Sequence, residues 1–190
     1  MRKLNMFMSD GVMIIGRDPF VGKPGQWMPK EVYTEYIANR PRVTTDLVLI
    51  DSKGCVLLGL RTLRPVQDWS CMGGFRKVRE SNAVAAARVA REEADLVLDP
   101  RKHHFDEVGR YEYVIGDMDP EDPDGDSVRH DVNTVMCCVV TDEEAARVQL
   151  NKGHFSDQRW VPLIEVTFAN GYPLITTQWA DDLRKRLYNA

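Results

Sequence analysis

Glu80, Arg88, Glu92 and Glu93, set behind the glycine pair Gly73-Gly74, are the residues whose types and spacing could carry chemistry in this chain. Carboxylates are hard oxygen donors suited to magnesium, which binds through one or two of them while keeping water and substrate phosphate in its shell. Arg88 and Glu92 stand four apart and can pair along one helical face. Glu93 points elsewhere, free to meet a cation or a phosphate-bound metal. Three elements must position these groups. A buried strand ends at the glycine pair, a short loop carries Arg76, Lys77 and Arg79, and a helix then opens. Ser81 is the expected N-cap, because its hydroxyl can accept a free backbone N–H of the first turn. The alanine-rich run Ala83 to Ala90 combines high helix propensity with small side chains, so this helix can lie close against a sheet.

The stretch resembles the Nudix box, in which a glycine is followed six residues on by glutamate and then by Arg-Glu-x-x-Glu-Glu-x-Gly. Gly74, Glu80, Arg88, Glu92 and Glu93 match in register. Val89 stands where the first helical glutamate belongs, and Asp95 where the closing glycine belongs. Aspartate visits left-handed backbone more readily than most residues, so Asp95 is the milder departure. Val89 matters more. Positions 89 and 93 are one turn apart, and a normal box offers two carboxylates from that face; here only Glu93 remains.

Within the Nudix group the chain is similar to the GDP-mannose mannosyl hydrolases. Leu57-Leu58-Gly59-Leu60-Arg61-Thr62, then Arg64-Pro65, Trp69 and the glycine pair carry this likeness, with Asp46, Pro41 and a helix bearing Tyr33. That group also has an apolar residue where Val89 stands. The resemblance implies water attacking the anomeric carbon of a nucleoside diphosphate sugar, with one magnesium or manganese ion on the leaving diphosphate. It implies Glu93 and the carbonyl of Gly73 as metal ligands, with Glu92 a further candidate typical of ordinary boxes. Arg61 would contact the diphosphate and stabilise the charge growing on the leaving group, while Arg64 and Arg76 would bind substrate, Arg76 standing in for a family arginine replaced by Phe75. Tyr33 would lie against the nucleobase, across the interface of a homodimer, and Asp46 would position the sugar. His154, in the loop before Arg159-Trp160, is the expected general base, since imidazole titrates near neutral pH. Aligned without a gap from Arg159-Trp160, His154 instead falls on a family glutamine that binds the metal, so base and metal ligand both stay open. Two rival functions also stay open. One is a Nudix pyrophosphatase cutting a phosphoanhydride; the other is a non-catalytic domain that binds nucleotide sugars.

The 190 residues suffice for one domain with a full core. An N-terminal extension over 1–28 and a catalytic domain over 29–190 are expected, the latter an α/β Nudix fold with a mixed β-sheet sandwiched between helices. A net charge of -4 argues against a nucleic-acid surface. No apolar run approaches the length of a membrane span, and Val12 to Ile15 is too short for a secretory signal core. Cys55, Cys71, Cys137 and Cys138 lack Cys-x-x-Cys spacing and read as free thiols of a reducing cytoplasm.

Along the chain, Val12–Ile15 reads as a short strand and the Val32, Tyr33, Tyr36, Ile37 stripe as a helix. Strands are expected at Val43–Ile50, Cys55–Leu60, His104–Val114, Asn133–Val140 and Gln158–Pro162. Thr141-x-x-Glu144 is a capping box for a short helix ending near Leu150, and Thr177–Leu187 is a terminal helix. The acidic run from Asp117 to Asp126 lacks the ligand alternation of a calcium loop and reads as a solvated loop.

Overall fold

The computed structural model describes residues 41–63, 67–115 and 129–188, with the backbone of two strands, β1 (Met6–Ser9) and β2 (Val12–Ile15), which pair with each other antiparallel. The expected Tyr33 helix, Tyr33 itself, Arg64 and the acidic run lie outside the described residues.

Long apolar runs set the centre of the main sheet. β3 (Arg42–Ile50) and β4 (Cys55–Arg61) form the expected hairpin about the Asp51 turn, but they stay paired only at Ile50 and Val56. Beyond that point they part. β6 (Met72–Phe75) pairs antiparallel with the start of β3, while β5 (Trp69–Ser70) and β9 (Phe155–Pro162) both pair with β4. On its other side β3 runs parallel to β8 (Arg129–Val139) over the full register Arg42–Asp131 to Ile50–Val139, and β7 (Asp106–Ile115) closes that edge. A mixed sheet results.

Side-chain alternation splits the core into two layers. Leu47, Leu49, Leu57, Met136 and Cys138 face the box helix α1 (Asn82–Ala94), which lays Ala86, Val89 and Ala90 on them. Val48, Ile50, Val56, Leu58, Val135 and Cys137 face the terminal helix α3 (Leu174–Tyr188) with its Trp179, Ala180 and Leu183. The sheet is thus sandwiched between helices, and the adjacent cysteines point to opposite layers. Among the described residues no helix is long and apolar enough to cross a membrane.

Several boundaries differ from expectation for local reasons. His104 precedes β7, because backbone N–H groups of Lys102 and His103 donate to the carbonyl of Asp99 and make a turn there. The short helix α2 (Asp142–Arg147) has its capping box but stops before Leu150. Gln149 instead donates its N–H to the carbonyl of Ala94, drawing 148–150 along the end of α1. β9 begins at Phe155 rather than Gln158, because Phe155 pairs with Arg61 across a bulge. Its ring occupies the space over Gly59 that any side chain there would fill.

Asp95 closes α1 at φ 49°, in the left-handed region, its N–H donating to the carbonyl of Ala90. Asp95→Gly should therefore stabilise the fold by about 0.5–1 kcal/mol by removing the left-handed cost of a side chain. A rise in urea midpoint with unchanged m-value is the expected readout; an unchanged or lower midpoint would mean that the aspartate side chain offsets its own strain.

Candidate active site

Strand β6, the loop behind it and α1 meet at the guanidinium of Arg88. Its Nε and Nη2 donate to Glu80 at 2.6 and 2.9 Å, its Nη1 to Glu92 at 2.7 Å, and its Nη2 also to the carbonyl of Phe75 at 2.8 Å. The predicted Arg88–Glu92 pair is present, joined to Glu80. Burial works against the charge on Arg88, but the bonds to Glu80 and Glu92 outweigh it and hold the guanidinium pKa above its ordinary value. Glu80 also accepts the backbone N–H of Lys77 at 2.8 Å, which fixes the loop before the helix. Ser81 accepts from the N–H of Val84 as the N-cap.

Beside this network lies a cleft of about 340 Å³ lined by Gly73, Gly74, Phe75, Lys77, Arg88, Val89, Glu92 and Glu93. Its carboxylates are in different states. Glu92 accepts from Arg88 and, at 3.2 Å, from Lys77 Nζ; burial opposes its charge, but these cations hold its pKa below the usual range. Glu93 is not free as expected. Both of its oxygens lie against His154 Nδ1, at 2.7 and 2.9 Å. Val89 is 1% exposed and packs into the α1 layer, so no second carboxylate stands one turn before Glu93. Among the described residues no group of three or more His, Cys, Asp or Glu side chains could hold a metal by itself.

His154 is held by its backbone. Its carbonyl accepts from the N–H and hydroxyl of Thr62 at 2.9 and 3.1 Å, and its N–H donates to Asn151. The N–H of Asn151 in turn donates to the carbonyl of Glu93 at 2.8 Å. The loop that carries His154 is therefore tied to both β4 and the end of α1.

Asp46 lies on the opposite face of β3, the face of Val48 and Ile50, directly across from Gly73. A side chain on Gly73 would collide with the Asp46 carboxylate, so with Asp46 in this place only glycine fits without a shift. Asp46 Oδ2 accepts from Asn133 Nδ2 at 2.8 Å, and Asn133 Oδ1 accepts from the Thr44 hydroxyl. Burial pushes the Asp46 carboxyl up to about 6, against the lowering effects of the Asn133 bond and the Arg61 charge. Arg61 keeps a buried Nε without a partner. Neither Asp46 nor Arg61 lines the cleft, and Arg76 turns away from it to Asn82 Oδ1 at 2.7 Å. The structure thus places Glu93, Glu92 and Gly73 on one cleft and His154 against Glu93, while Asp46 packs against Gly73 from outside the cleft lining and Arg61 and Arg76 do not line it. Lys77, Thr62 and Asn133 were not expected at the site, and nothing in their spacing singles them out.

A family model described as NUDIX domain matches residues 40–181, and the chain belongs to that family. Comparison with curated proteins finds no match. Among solved structures, the chain is similar to the NUDIX domain of Shewanella oneidensis NrtR complexed with ADP ribose (21% identity, TM-score 0.58, covering 80% of this chain and 97% of that one). It is similar to a MutT protein from Methanosarcina mazei Go1 (17%, TM-score 0.60, covering 78% and 98%). A C. elegans Ap4A hydrolase binary complex also matches (16%, TM-score 0.57, covering 78% and 99%). At these identities the likeness is one of fold.

The raised Asp46 pKa has a consequence for stability. Between its unfolded value near 4 and about 6 the native state holds the proton more tightly than the unfolded chain, so ionising Asp46 destabilises the fold as pH rises through that window. Asp46→Asn should gain about 1–2 kcal/mol relative to the parent between pH 4 and 7, less than the full linkage value because Asp46 is only partly buried. Urea midpoints of both proteins across that range check it; a constant difference between them would contradict it.

Proposed function

We propose that this NUDIX-family chain is a divalent-metal-dependent hydrolase of a nucleoside diphosphate sugar that directs water at the anomeric carbon. The NUDIX domain supports a hydrolase. The finer reading is carried by one observation: Val89 is buried where a second carboxylate would stand, so Glu93 has no carboxylate one turn before it on the helix.

The donor set fits a single magnesium or manganese ion whose shell is mostly water and phosphate. Glu93 and Gly73 line the same cleft and offer a carboxylate and a backbone carbonyl, both hard oxygen donors. Glu92, already bonded to Arg88 and Lys77, stays outside this set. When bound, the ion would neutralise charge growing on the diphosphate as it departs.

The remaining work falls to the chain's own residues. With Nδ1 of His154 protonated and donating to Glu93, Nε2 carries the lone pair that can accept a proton. Glu93 orients the ring, and Thr62 holds the backbone that carries it. Water then adds to the anomeric carbon, its proton passes to His154 Nε2, and the carbon–oxygen bond to the diphosphate breaks. Free sugar and nucleoside diphosphate are released. A second reading, water attacking phosphorus to give a monophosphate and a sugar phosphate, is favoured by the direct contact of His154 with Glu93, which would set the base beside phosphates carried by a Glu93-bound metal.

Hydrolysis in oxygen-18 water separates the two. We expect label on the sugar; label in phosphate would overturn attack at carbon and leave the pyrophosphatase. Glu93→Gln should nearly abolish turnover, and activity within a few-fold of the parent would remove it from the metal set. His154→Gln should lose roughly two to four orders of magnitude in turnover with metal affinity intact. Weakened metal affinity with partial rescue at high magnesium would instead make His154 a ligand.

A further inference from the structure

We infer that Lys77 binds the diphosphate of the substrate, and that Glu92 holds it in readiness when the cleft is empty of phosphate. The inference rests on the nucleotide-hydrolase reading and deepens it. Among the described residues, the cations lining the cleft are Lys77 and Arg88, and they are not equivalent. Arg88 gives four hydrogen bonds to Glu80, Glu92 and Phe75, so moving it to a ligand would dismantle the loop and the start of the helix. Lys77 has three ammonium donors, and its side chain uses one of them, at 3.2 Å, on Glu92. Lys77 is 18% and Glu92 40% exposed, so the Glu92 side of this long contact is open to solvent and another anion can take its place.

The backbone beneath Lys77 is fixed far more firmly than its side chain. Its N–H donates to the Glu80 carboxylate at 2.8 Å, and its carbonyl accepts the N–H of Glu80 at 3.1 Å. Glu80 is itself locked by Arg88. A flexible four-carbon stem with a compact charge therefore rises from a rigid turn at the cleft wall, a suitable arrangement for gripping phosphate oxygens in more than one position. Loss of the Glu92 partner on ligand binding leaves no stranded charge, because Glu92 keeps Arg88. Arg76, the expected diphosphate ligand on this loop, is turned to Asn82 instead.

Calorimetric titration of the full chain with methylenediphosphonate in excess magnesium tests this without turnover. Lys77→Gln should weaken binding roughly ten- to a hundredfold, as for loss of a hydrogen bond to a charged group. Lys77→Arg should keep most of the affinity. Glu92→Gln, which releases Lys77 from its competitor, should bind as tightly or more tightly. Equal affinity for parent and Lys77→Gln would overturn the inference, as would weakening by Glu92→Gln equal to that by Lys77→Gln, the signature of a pair that matters only to itself. A parent chain that fails to bind the diphosphonate at all would sink the nucleotide-hydrolase reading, and this inference with it.

Discussion

The site depends on one buried guanidinium. Arg88 gathers the end of β6 through the Phe75 carbonyl, the loop through Glu80, and its own helix through Glu92. Arg88 and Glu80 are each 10% exposed, so neither can lose the other cheaply; stranding one partner of such a pair costs about 3–5 kcal/mol. Glu80 in turn fixes the turn at Lys77, and the helix held by Arg88 carries Glu93 to the cleft wall.

The bonds of Arg88 to Glu80 and to the Phe75 carbonyl cross from the helix to the loop before it and were not expected. The Arg88–Glu92 pair was open to reading, because a four-residue spacing on one helix decides that the two meet. The same holds for the caps at Ser81, Asp95 and Thr141, and for the alternation that sends Cys137 and Cys138 to different layers. The sandwiched mixed sheet followed from the order of strands and helices. What escaped was non-local. That β8 lies parallel to β3, bringing Asn133 beside Asp46, depends on a crossover that no spacing reveals. That His154 meets Glu93 depends on Asn151 and Thr62 fastening its loop from two sides. Arg76 was expected at the diphosphate because it adjoins the position of a family arginine, yet its aim is decided by Asn82, and the backbone beneath Lys77 by Glu80.

Val89 links the fold to the proposed chemistry. A valine there extends the apolar layer that seats α1 on Leu47, Leu49 and Met136, and the same substitution withholds a carboxylate from the cleft. The helix gains packing and the site loses a ligand. The remaining carboxylate, Glu93, already meets an imidazole and under this proposal would also hold the metal, while Glu92 is engaged in the network around Arg88. A substrate bearing its own phosphate oxygens completes such a site more naturally than additional protein ligands would.

The claim most open to direct test is that one carboxylate means one metal. Manganese bound per chain, counted by electron paramagnetic resonance during titration in saturating methylenediphosphonate, should level at a single ion in the parent protein and at none in Glu93→Gln. Two ions per chain in the parent, both lost together in the variant, would contradict the account, because the described cleft would then have to supply ligands that Val89 and the bonded Glu92 do not provide.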